Sequence, residues 1–94
     1  MANDEEKKEI SVKDLLVITL NSLIEKAWAN LGLISHPETG KIHEDSVQAK
    51  LAIDALENIF RLLQDSMESM ERVQMATVLT NLQLNYAKKF GKPD

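Results

Sequence analysis

Apolar residues along this chain recur every three or four positions in three stretches, and nowhere do they alternate with polar ones for the length of a strand. On a helical wheel, Val12, Leu16, Leu20, Leu23, Ile24, Ala27 and Leu31 form one continuous face, with Val17 and Trp28 at its edge. Leu15, Ile18 and Ala29 fall outside that face. Ser11, with Asp14 three residues on, predicts the start of this first helix, and Gly32 predicts its end. A second face is made by Leu51, Ala52, Ala55, Leu56, Ile59, Leu62 and Leu63. Ala49, Ile53 and Phe60 widen it past half the circumference, so helix two is expected to lie centrally. Asp45, with Gln48 in the reciprocal position, predicts its start. The third stripe runs through Met75, Val78, Leu79, Leu82 and Tyr86, from about Met70 to Phe90, and Gly91 and Pro93 close it.

Between helices one and two, SHPETGKIHE (35–44) holds both histidines, with Pro37 and Gly40 predicting a turn. The separation of helices two and three rests on a polar break at 64–69, where Asp65, Ser66 and Ser69 compete as caps and no Gly or Pro marks the boundary. Residues 1–10 show no apolar periodicity and are expected to form a charged, disordered tail. A single helical domain then fills 11–90, with a short tail at 91–94. The expected fold is therefore all-α: a three-helix antiparallel unit, completed by dimerisation into a larger helical bundle.

Composition narrows the functional classes. Ninety-four residues suffice for one modest core, and a chain of this size often needs a disulfide, a metal or a partner subunit to finish it. Cysteine is absent, which excludes the first and suits a reducing, cytoplasmic compartment. The net charge of −4 and the scattered basic residues argue against nucleic acid. Lys88, Lys89 and Lys92 at the far end suit the negative pole of a helix better than a phosphate backbone. No leader and no membrane-spanning run is expected from the sequence.

Candidate chemistry is thin. His36 and His43, near Glu38, Glu44 and Asp45, are the one group that suggests a metal, yet a cysteine-free loop does not preorganise three or four ligands, and no metal or other cofactor is expected. Gly40-Lys41 fails as a phosphate-binding loop: position 35 is Ser, position 42 is Ile, and no strand precedes it. With no nucleophile, base and oxyanion group to assign, the sequence does not point to an enzyme.

Missing charge is the more telling feature. No Asp, Glu, Lys or Arg occurs from Leu15 to Ile24 or from Val73 to Ala87, although 28% of the chain is charged. Charge depletion is what the centre of a protein–protein interface shows. A homodimer interface is therefore expected on the charge-poor sides of helices one and three, through Leu15, Ile18, Val73, Gln74, Asn81, Leu84 and Asn85. The expected function is that of a non-enzymatic interaction or regulatory protein that pairs with itself and with an unidentified cytoplasmic protein. The rival expectation is a small-molecule or lipid carrier, with Met67, Met70 and Met75 as adaptable lining residues.

Pro37-Glu38-Thr39-Gly40-Lys41, followed by Ala49-Lys50, Ile53-Asp54-Ala55-Leu56 and a late Tyr86, resembles a small bacterial family, domain of unknown function family 1844. The resemblance covers about 12–90 and implies a short helical protein with a Pro-x-Thr-Gly loop between its first two helices. Helix three is poorer in charge than the family pattern. The family carries no established activity, so it implies no catalytic or binding residue.

Overall fold

The computed structural model describes residues 9–91; the expected tails at 1–10 and 91–94 lie almost wholly outside the described residues. Three helices follow in order: α1 (Val12–Asn30), α2 (Ser46–Leu63) and α3 (Ser69–Phe90), with a 3-10 turn at Gln64–Ser66. Each boundary has a local cause. Ser11 accepts a hydrogen bond from the Asp14 amide and Asp45 from the Gln48 amide, so free amides at both helix starts are satisfied. At the end of α1 the Gly32 amide donates to the Ala29 carbonyl and the Leu33 amide to that of Trp28. This is a Schellman closure, with Gly32 at φ +78°. A Cβ there would also meet Glu44 and the Lys89 ammonium at 3.1–3.3 Å.

The break between α2 and α3 is a true turn, and it is made by residues other than the expected caps. Met67 is extended, and Glu68 and Glu71 form a capping box in which Glu71 accepts from the Glu68 amide at 3.0 Å. Arg72 then reaches back and donates to the carbonyls of Gln64 and Met67, at 3.2 and 2.9 Å. A long side chain thus satisfies carbonyls freed at the end of α2, work that Gly does elsewhere.

Cross-helix bonds fix the directions. Lys13, at the start of α1, donates to the Ser66 carbonyl just past α2, while the Asp45 amide at the other end of α2 donates to the Asn30 carbonyl. The two helices are therefore antiparallel. Gln83 donates to Glu57, and Lys89 pairs with Glu44 at 2.9 Å, so α3 also runs antiparallel to α2. Helix α2 is the centre: α1 packs on it most extensively, α3 less so, and α1 and α3 hardly touch. The core is built from Leu20, Ala27 and Leu31, from Ala52, Ile53, Leu56 and Leu63, and from Met75, Leu79, Leu82 and Tyr86.

Helix α3 lies along one of the two grooves between α1 and α2. Val17, Asn21 and Ile24 of α1 turn toward it, as do Phe60, Arg61 and Gln64 of α2. Rotating the opposite way around both helices leads to Val12, Leu16, Thr19 and Leu23 on α1 and to Leu51, Ala55, Ile59 and Leu62 on α2. These residues line the second groove, which no described element covers. Leu51 and Leu62, expected in the core, are accordingly 62% and 73% exposed. The apolar arc of α2 is wider than two neighbours can bury.

Candidate functional site

The inter-helix loop is organised around His36. Its amide donates to the Lys41 carbonyl, and its own carbonyl accepts from the amides of Thr39 and Gly40. Gly40 supplies a φ of +71° that closes the turn begun at Pro37. Ring atom Nε2 lies 2.8 Å from the His43 carbonyl, and Nδ1 lies 2.9 Å from Lys26 Nζ. A carbonyl only accepts, so Nε2 carries the hydrogen and Nδ1 accepts from the ammonium. Lys26 also pairs with Glu38 at 3.0 Å, and that hydrogen bond holds the Glu38 carboxyl below its ordinary value of 4.5.

His36 is thus buried, at 9% exposure, although it lies in a loop of polar residues. Its bonds carry information about loop folding and none about a metal: Nδ1 faces a cation. Among the described residues, no group of three or more His, Cys, Asp or Glu side chains is placed to hold a metal ion. A shallow recess of about 450 Å³ beside Lys26, Thr39, Lys41 and His43 is open to solvent. Glu44 leaves the loop altogether to bridge to Lys89 on α3.

The seven residues expected at an interface occupy several places. Leu15 and Ile18 are exposed on the side of α1 turned away from the core, Leu15 bordering the uncovered groove. Gln74 lines the cleft between α1 and α3, a space of about 270 Å³ walled by Val17, Leu20, Ile24, Met67 and Met75. Val73 and Asn81 sit on the outer side of α3, among Ala76, Thr77 and Thr80, and Leu84 is exposed as well. Asn85 is half-buried and donates to the Asn81 carbonyl one turn back. Within one subunit the packing does not bring the charge-poor sides of α1 and α3 together. Leu51 and Leu62, which the sequence places in the apolar face of helix two, are exposed, and the signal for that surplus was an apolar arc on α2 broader than half the helix.

The fold and its surfaces define a small, cysteine-free helical protein whose prominent feature is exposed apolar side chain rather than converging chemistry. Among the described residues no helix is long and apolar enough to cross a membrane. The family model for Domain of unknown function (DUF1844) matches residues 12–88, and the chain belongs to that family. Neither a curated protein nor a solved structure matches the chain.

Proposed function

We propose that this protein is a non-enzymatic helical interaction protein of the bacterial cytoplasm that works as a homodimer and engages a second cytoplasmic protein. One observation carries the reading: α3 covers a single side of the α1–α2 hairpin, and leucines remain exposed on the other. Each Leu or Val moved fully out of water is worth about 1.5–3 kcal/mol, so a bare leucine face favours association. Sedimentation equilibrium across the micromolar range tests it. The expected mass is twice the 10.6 kDa of one chain, and a mass of 10.6 kDa throughout would overturn the reading.

Carriage of a small molecule is the second reading, supported by the apolar cleft between α1 and α3. At about 270 Å³ and open to solvent, the cleft is small for that use, since ligand pockets usually hold about 300–1,000 Å³. Native mass spectrometry after mild purification separates the two readings: a bound small molecule on a 10.6 kDa chain would favour carriage.

A further inference from the structure

We infer that the dimer surface is the uncovered groove of the α1–α2 hairpin, and that its occupant is the same groove of a second copy. This rests on the homodimer reading and adds where the contact lies. Val12, Leu51 and Leu62, along this one groove, are exposed to 71%, 62% and 73%. Between them Leu16, Leu23 and Ile59 are half-buried, packed on the core from below and bare above.

The pattern of charge identifies the occupant. Along this groove α1 presents no charged side chain from Leu15 to Ile24, and α2 presents Gln48, Leu51, Ala55, Ile59 and Leu62. The charged residues of α2 sit elsewhere, with Lys50 and Asp54 paired to each other at 2.8 Å on the far side of the helix. Lys26 at the loop end is occupied by His36 and Glu38. A partner docking here therefore needs an apolar, uncharged face two helices wide, which this chain itself supplies under a two-fold axis.

Size agrees. Two helices spaced about 10 Å apart and about 27 Å long give a footprint of roughly 540 Å² before surface corrugation is counted, approaching the ~800 Å² per partner of a stable complex. Face-to-face pairing would make a four-helix core of two hairpins, with each α3 on the outside. The outer side of α3 is the weaker competitor, because Ala76, Thr77, Thr80 and Asn81 separate its few large apolar residues.

The experiment compares sedimentation equilibrium of the wild type, Leu51→Lys, Leu62→Lys and Asn81→Lys. Circular dichroism reads helicity in parallel. Positions 51 and 62 are exposed in the subunit, so lysine there leaves the helices intact. The expected result is at least a tenfold weaker dimer for Leu51→Lys and Leu62→Lys, with Asn81→Lys unchanged. A dimer sensitive to lysine at 81 alone, or to none of the three, would overturn the location and leave the homodimer reading standing. A monomeric wild type would overturn both. Because the chain lacks cysteine, Leu51→Cys offers a check that tolerates altered folding in the lysine variants. Its thiol should alkylate more slowly as protein concentration rises, whereas that of Thr80→Cys should not. Equal, concentration-independent rates at both sites would overturn the proposal.

Discussion

The two grooves of the α1–α2 hairpin are lined by similar residues and have opposite fates. On one side Ile53, Leu56 and Leu63 share a buried core with Leu79 and Leu82 of α3. Across the same helix, Leu51 and Leu62 face solvent. Leucine content does not distinguish the sides; the presence of a third helix does. Burial is therefore a property of what the connecting turn delivers, and the 3-10 turn at Gln64–Ser66 delivers α3 to only one groove.

The sharpest way to test this contrast is to truncate a leucine on each side. Leu56→Ala and Leu82→Ala, both at fully buried positions, should each cost on the order of 2–5 kcal/mol in urea unfolding at fixed protein concentration. Leu51→Ala and Leu62→Ala should change the stability of the isolated subunit by less than about 0.5 kcal/mol. If the two pairs lose similar stability under dilute conditions, the second groove is covered and the architecture needs redrawing.

A smaller effect is expected where the covered side is tied down. Gly32 combines a positive φ with close approach to the Glu44–Lys89 bridge that links the loop to α3. Gly32→Ala should therefore cost more than about 1 kcal/mol, read as a lowered urea midpoint. A neutral result would mean that the bridge gives way freely. His36→Ala removes two side-chain hydrogen bonds from a buried site and should cost about 1–3 kcal/mol. Its loss of stability should be the same with and without a chelator, since Nδ1 faces Lys26. Chelator-dependent unfolding of the wild type would revive a metal at this loop.

The smallest expected effect concerns pH. Lys26 holds the Glu38 carboxyl below its unfolded value of 4.5, so the folded state favours the ionised form. The contribution is present above pH 4.5 and fades as pH falls through the lowered folded value. Glu38→Gln should lower the melting temperature slightly near pH 7 and leave it unchanged well below the folded value, so that a small part of the acid dependence disappears. An unchanged acid limb would show that solvent screens this partly exposed pair out.

Much of the fold was legible beforehand. Ser11, Asp45, Gly32 and Gly91 act at the helix ends where their side-chain or backbone chemistry placed them, because capping is decided within a few residues of sequence. The start of α3 was harder. Its capping box uses Glu68 and Glu71, and Arg72 supplies the closing bonds from eight residues beyond Gln64. The role of His36 was not legible at all: its partners Lys26 and His43 lie ten residues before it and seven after, and only the loop's closure brings them together.

What the sequence determined alone was the number and type of the elements, their local stops, and the charge-free character of two long stretches. Periodicity and capping act over three or four residues and need no tertiary context. Only the tertiary structure decided which apolar residues are core and which are surface. Leu56 and Leu62 belong to one apolar arc on one helix, yet one is fully enclosed and the other 73% exposed. The side of the hairpin on which a third helix lands depends on the turn at 64–68 and on packing across the whole hairpin. A hydrophobic pattern records that a face wants cover, but not which neighbour provides it.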